Sequence, residues 1–327
     1  MSAPSRPRPT ASARRADAGR PAGAEFGQTT RPSRPLTVGI VGAGRVGAVL
    51  GAALAGAGHR IVAASGVSAA TRARLGQLLP DTANVPADAV ARVATDLLIV
   101  AVPDDSLAAL VAGLAETGVL RPGQVVAHTS GAHGLDVLAP AAAAGARPLA
   151  LHPAMTFTGT PDDLANLAGI SYGVTAPDAL RPFVTRLVAD LGGTPEWVAE
   201  ADRALYHAAL VHGANHLVTL VNEALDRLRD AGVARPEKVL GPLLRASLDN
   251  TLRLGDAALT GPVSRGDAGT VARHLARLAA SAPDSVPSYL ALARRTADRA
   301  IAAGRLRPAD AEPLLGVLAD ERRKAVA

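Results

Sequence analysis

The sequence predicts an α/β protein, with a doubly wound sheet followed by an all-helical second domain. Three observations carry that class. Short apolar runs alternate with helix-length stretches from Leu36 to about residue 199. The strand signal then stops, and from Asp202 onward only helical patterning remains. The first apolar run also leads directly into Gly42, Gly44 and Gly47, in GxGxxG spacing, ahead of an Ala/Val/Leu-rich helix.

The elements follow in order. Leu36 to Val41 reads as the first strand and Ala48 to Ala57 as helix, ended by Gly58. Arg60 to Ala64 is the second strand, before a helix carrying Thr71, Arg72 and Arg74. Asp96 to Val102 is a run apolar enough for a strand buried on both faces. Pro103 ends it, and Asp104 or Asp105 is expected to cap a helix to about Glu116. Gln124 to Thr129 follows the turn Arg121-Pro122-Gly123, and Arg147 to Leu151 precedes His152-Pro153. Ile170 to Thr175 and Thr194 to Val198 complete the strands, with a helix at Ala179 to Leu191 between them. The helical part is expected at Asp202 to Ala231, Pro236 to Thr260 with a kink or restart at Pro242, Asp267 to Ala280, Asp284 to Ala303 and Pro308 to Ala319. Ala199-Glu200-Ala201 is the expected junction, giving domains at 36–199 and 200–327.

Residues 1–35 are rich in Pro, Ala and Arg and cannot form a core, so they read as a disordered basic tail. Their seven Arg against Asp17 and Glu25 account for the whole net charge of +5, and the body is neutral, with no nucleic-acid-binding surface implied. Cysteine is absent, which excludes disulfides, thiolate nucleophiles and cysteine metal sites. No apolar run is long enough to span a membrane and no signal-peptide core opens the chain, so a cytoplasmic protein without a membrane partner is expected. Lys238 and Lys324 are the only lysines, which leaves few places for a lysine acid.

Strand, glycine loop and helix together form a Rossmann-type dinucleotide-binding unit. Gly42 allows the turn, Gly44 lets backbone approach a pyrophosphate, and Gly47 lets helix pack on strand. Arg45 and Val46, at the start of the helix, complete the phosphate-facing set. Dinucleotide sites that take NAD place an acid about 20 residues on, for the ribose 2′-hydroxyl. No Asp or Glu occurs from Arg45 to Pro80, and the second strand ends instead in Ser65, Gly66, Val67 and Ser68, followed by Arg72. Hydroxyls and a guanidinium suit a 2′-phosphate, so the expected cofactor is NADP(H).

In such sheets the chemistry gathers at the carboxyl ends of the strands. Val102-Pro103 falls there beside the cofactor. Ser130 and Gly131 fall there too, either binding a substrate carboxylate or the nicotinamide amide, or forming a plain turn with a capping serine. His152 is a candidate for substrate contact or acid chemistry, or merely satisfies a strand end. In the second domain, Tyr206 to His216 holds His207, His212, Asn215 and His216 on one helix, and His212, Asn215 and His216 share a face. The His212/His216 spacing would suit zinc, but no Glu follows His212 and no cysteine exists, so no metal is expected. Arg265, among Gly261, Pro262, Ser264 and Gly266, has no capping duty because Asp267 can cap the next helix, and its planar fork suits a carboxylate.

GAGRVG at 42–47, AVPDDSL at 101–107, HTSGA at 128–132, LHPAMTF at 151–157, YHAALVHGANH at 206–216 and LTGPVSRGDAGTVARHL at 259–275 together resemble a bacterial family. Its members join a Rossmann-like domain, similar to deazaflavin-dependent NADP reductases, to a helical C-terminal domain of unknown function. The resemblance extends to the 6-phosphogluconate and β-hydroxyacid dehydrogenase group. That group implies a catalytic Lys four residues before an Asn; here Asn215 matches, but Val211 stands at the lysine position. The resemblance thus leaves His207 or His212, with Asn215 orienting the substrate, as the catalytic set, or else no side chain as the acid. Some relatives resemble an alternative ketopantoate reductase, which implies a 2-keto acid substrate whose carboxylate Arg265 would hold. The expectation is an NADP(H)-dependent reductase, dimeric through its helical domain. The alternative is a non-enzymatic NADP sensor or scaffold, which the missing lysine favours.

Overall fold

The computed structural model describes residues 34–326, with side-chain surroundings through Asp320. The expected tail therefore lies outside the described residues apart from Arg34 and Pro35.

One seven-stranded sheet organises the first part of the chain, in the order β2-β1-β3-β4-β5-β6-β7. Its strands are β1 (Thr37–Val41), β2 (Arg60–Ser65), β3 (Leu97–Val100), β4 (Val125–His128), β5 (Arg147–Pro153), β6 (Ser171–Thr175) and β7 (Thr194–Trp197). β1 to β5 run parallel, as do β6 and β7, whereas β5 and β6 pair antiparallel with His152 opposite Gly173. The strand order reverses at β1, so the crevice for a ligand opens between the carboxyl ends of β1 and β3.

Helices cover both faces, which explains why β3 and β4 are buried along their whole length. Leu97 and Ile99 point to a core shared with α1 (Arg45–Gly56) and α7 (Arg181–Asp190), and Leu98 and Val100 to one shared with α3 (Ala87–Val93) and α4 (Asp104–Glu116). The region between β2 and β3 contains α2 (Ala69–Leu78) and α3 but no strand, so a single parallel half-unit is shortened there. α3 is absent from the sequence reading because seven residues are too few for a periodicity to show. The short helices α5 (Ala139–Ala143) and α6 (Asp162–Asn166) escaped it for the same reason. The α4 cap also differs from expectation. Pro103 occupies the N-cap, and Asp104 and Asp105 are the first helical residues, where carboxylates favour the positive helix end.

By internal contacts the chain divides within α8 (Arg203–Leu210), with His207 the last residue of the first unit and Ala208 the first of the second. The expected single helix from Asp202 to Ala231 is three pieces: α8, a π-helical turn at Val211–Asn215, and α9 (His216–Asp230). A π turn adds about one residue to a helical turn, too small a change to read from apolar spacing. The remaining helices are α10 (Pro236–Leu254), which carries Pro242 inside it, α11 (Ala268–Ser281), α12 (Val286–Ala302) and α13 (Pro308–Val326). The second unit's core joins α11, α12 and α13 through Val271, Leu275, Ala297, Ala300, Leu314 and Leu318. By contrast α9 buries no residue and α10 only Pro236.

Candidate functional site

The glycine loop is built as the spacing requires. Gly42 has φ +87°, and a Cβ there would lie 2.5 Å from the Ala101 carbonyl oxygen, so the loop presses against the end of β3. A Cβ at Gly47 would lie 2.3 Å from the Gly42 oxygen, which closes α1 on the loop. At Gly44 an added Cβ meets nothing within 4 Å. That open face lies at the N-cap of α1, where no side chain caps and no acid stands in the first turn. The N–H groups that begin α1 at Arg45 and Val46 are therefore available to an anion. Val102 and Pro103 follow β3 directly, and Ala101 N–H donates to the Val41 oxygen at 2.8 Å, which fixes them beside the loop.

The end of β2 is arranged around the same loop. Ser65 Oγ accepts from Gly42 N–H at 3.1 Å, so this hydroxyl oxygen steadies the loop. Ser68 caps α2, accepting from Thr71 N–H at 3.1 Å. Arg72 donates to the Val67 carbonyl and stays at the exposed strand end. Arg74, two residues on, turns away to the Gly159 carbonyl at 3.1 Å. No carboxylate from Arg45 to Pro80 opposes a phosphate here.

At the carboxyl ends of β4 and β5 the polar groups converge within the first unit. His128 is fully buried, with Nε2 donating to the Gly134 carbonyl at 2.7 Å and Nδ1 accepting from Ser130 N–H at 3.2 Å. Burial, with the Arg203 charge, pushes its pKa down to about 4. Ser130 Oγ accepts from the N–H groups of Ala132 and His133, which organises the turn that presents Gly131. His152 Nδ1 lies 2.9 Å from the Tyr206 hydroxyl, and the His152 and His207 rings meet edge to face at 5.9 Å. Burial pushes His152 down to about 4 as well, helped by Arg203 and His207. A Cβ on Gly131 would stand 2.5 Å from His207 Cδ2 and 3.1 Å from His152 Nε2, so only glycine lets both imidazoles approach this turn.

Arg203 holds the cluster together. Only 1% exposed, it donates to the carbonyls of His133 (2.9 Å), Gly173 (3.0 Å) and Ser130 (2.5 Å). Its guanidinium lies 5.5 Å from the Tyr206 ring centroid. Glu200 accepts from Leu135 N–H at 2.7 Å and Asp136 N–H at 3.2 Å, which ties the same turn to the start of the helical segment. Arg203, Tyr206, Glu200 and Gly173 were not singled out from sequence. Tyr206 lies inside a quoted motif, but nothing local marks a partner 54 residues away.

The second unit holds the other expected residues. His212 and Asn215 are exposed on the π turn. Across the π turn His212 and His216 stand together, with Nδ1 atoms 3.3 Å apart. Arg265 is exposed at the end of a short helical turn, and Asp267 caps α11 as expected, accepting from Thr270 N–H at 2.9 Å. Among the described residues, no group of three or more His, Cys, Asp or Glu could hold a metal, and no helix is long and apolar enough to cross a membrane. The second unit also has a groove of about 740 Å³ between α9, α10, α11 and α12, in which His274 Nδ1 meets the Tyr289 hydroxyl at 2.9 Å.

Two family models match the chain, a Rossmann-like domain over residues 22–153 and the domain of unknown function DUF2520 over residues 170–296. No curated protein matches. Among solved structures, a Bacteroides fragilis protein assigned as an NADP oxidoreductase is similar at TM-score 0.69 and 22% identity, covering 81% of this chain and 98% of its own. An imine reductase from Myxococcus stipitatus in complex with NAD⁺ is similar at TM-score 0.55 and 17% identity, over 83% of this chain and 96% of its own. The pyrroline carboxylate reductase of Plasmodium falciparum, solved with NADP bound, is similar at TM-score 0.53 and 11% identity, over 81% and 98%. The seam between the matched domains falls where β5 turns to the antiparallel β6. The chain carries a Rossmann-like domain followed by a DUF2520 domain.

Proposed function

We propose that this protein is an NADP(H)-dependent oxidoreductase that reduces a small carbonyl or imine compound. The observation that carries it is the carboxyl edge of the sheet, where an uncapped helix start stands behind the open face of Gly44 and a half-buried His152–Tyr206 pair stands at the ends of neighbouring strands. Gly42, Gly44, Arg45, Val46 and Gly47 would hold the pyrophosphate, Ser68 and Arg72 the 2′-phosphate, and Val102 and Pro103 would wall the site. The reduced nicotinamide supplies the hydride when bound. Ser130 and Gly131 position the substrate beside His152 and His207, all within the first unit. The similar structures support a nicotinamide cofactor and extend the substrate class from 2-keto acids to imines.

Fluorescence titration tests the cofactor. NADPH should bind at least tenfold more tightly than NADH, and Arg72→Ala should remove most of that difference while leaving NADH binding unchanged. Tighter NADH binding would overturn the preference. An NADPH-oxidation screen over 2-keto acids, ketopantoate first, and cyclic imines with a carboxylate then separates the substrate classes. Binding with no oxidation of either class would favour the sensor reading, for which Val211 in the lysine position speaks.

We also propose a cytoplasmic homodimer formed through the second unit. Leu217 and Leu220 on α9, and Val239, Leu243, Leu248 and Leu252 on α10, are all exposed. Exposed apolar groups in this number on two successive helices mark a surface suited to association. Helices of this kind depend on burying their apolar face, and a second copy offers the same surface in return.

A further inference from the structure

The described residues of the first unit contain no lysine and the whole chain contains no cysteine, so histidine, tyrosine and carboxylic acids are the ionisable donors this unit offers for the proton that accompanies a hydride. The half-buried cluster around His152 narrows this choice. Tyr206 Oη and His152 Nδ1 are 2.9 Å apart, and their rings stand edge to face at 5.7 Å with an interplanar angle of 86°. Arg203 lies over the Tyr206 ring, and the phenol oxygen sits against the bare side of Gly173, where an added Cβ would lie 2.4 Å from it. The phenol carries one proton, and His152 Nδ1 stands within hydrogen-bond distance to accept it. His152 then carries its proton on Nε2, the edge that faces the bare side of Gly131.

We propose that His152 Nε2–H is the proton donor of this site and that Tyr206 sets its tautomer and replenishes it, acting on an uncharged C=O or C=N group. This rests on the reductase reading above. As hydride reaches the substrate carbon, the Nε2–H bond breaks and an O–H or N–H bond forms on the substrate. In the same step the Tyr206 proton moves to Nδ1, which leaves His152 as the neutral Nδ1–H tautomer and Tyr206 as a phenolate. The phenolate is held by the Arg203 charge until water returns the proton. Burial holds the Tyr206 phenol above its ordinary pKa, and the Arg203 charge offsets part of that rise. Burial lowers the His152 pKa to about 4, which favours a neutral donor near pH 7. His207 stacks edge-on to His152 and confines its ring.

The tautomer is readable without cofactor or substrate. Long-range ¹H–¹⁵N spectra of the histidine rings, with His152→Asn identifying the signals, should show His152 neutral with the proton on Nε2 from pH 8 to pH 5.5. Tyr206→Phe should convert it to a mixture of tautomers while the melting temperature stays within a few degrees. A wild-type Nδ1–H tautomer, or an imidazolium at pH 7, would overturn the proposal. On whichever substrate the screen identifies, Tyr206→Phe and His152→Asn should each lower kcat at least tenfold with NADPH affinity within twofold. Unchanged kcat in both variants would overturn it equally. Failure of wild-type protein to bind NADPH would sink the reductase reading instead, and would leave the tautomer result standing as a separate fact.

Discussion

At the scale of single residues, the sheet ends are organised by groups that satisfy one another before they meet any ligand. Ser65, Ser130 and Ser68 each give a hydroxyl oxygen to backbone N–H groups, so their first duty is to shape the loops. His128 and His152 are kept neutral by burial, and this has a consequence for stability. Both have folded pKa values near 4 against an ordinary 6.5, so between those values the unfolded chain binds more protons than the folded one. Their contribution is intact above about pH 6.5 and is lost as pH falls toward 4, at up to about 3 kcal/mol for each. Urea midpoints of the full chain should therefore drop between pH 7 and pH 5, with a shallower drop in His152→Asn. A flat or rising profile through that window would contradict the burial argument. Arg265 differs from these groups because its guanidinium is exposed. With a carboxylate substrate, Arg265→Ala should raise KM, by less than a desolvated charge pair would because solvent screens an exposed guanidinium. NADPH affinity and folding should be nearly unchanged, and a wild-type KM would make the arginine structural.

At the scale of elements, the two long helices α9 and α10 hold the clearest imbalance. They total 34 residues, yet only Pro236 is buried. Their apolar positions fall four apart, at Val239/Leu243 and Leu248/Leu252, or three apart, at Leu217/Leu220. The double variant Leu243→Glu/Leu252→Glu should halve the mass measured by light scattering without loss of helical signal. A wild-type monomer at micromolar concentration would refute the dimer. The π turn between α8 and α9 belongs to this scale too. It adds about one residue to that turn relative to a continuous helix, a register change that apolar spacing does not reveal.

At the scale of the whole molecule, the matched domains and the compact units do not share boundaries. The family match passes from one domain to the next between residues 153 and 170, inside the sheet, whereas the contact division falls after His207. The difference arises because β6, β7 and the first turns of α8 pack with the preceding sheet. Arg203 donates across to residues 130, 133 and 173, which binds the start of the helical segment to the first unit. The junction expected at Ala199-Glu200-Ala201 was placed where strand patterning ends, and patterning carries no information about which unit a helix turn joins.

The sequence by itself determined the alternation of strands and helices, the glycine loop, the acid-free end of β2 and the later run of helices. Each is a local property: a period, a glycine at a required φ, or a missing charge within about 20 residues of its loop. Tertiary structure alone decided the antiparallel turn at β6, the exposed faces of α9 and α10, and the meeting of Tyr206 with His152. It also decided which of two neighbouring arginines, Arg72 or Arg74, stays at the strand end. Such outcomes depend on groups distant in sequence coming within 3 Å, and on the desolvation that follows. No window of residues encodes either, so the chemistry of this crevice became legible only when the chain was folded.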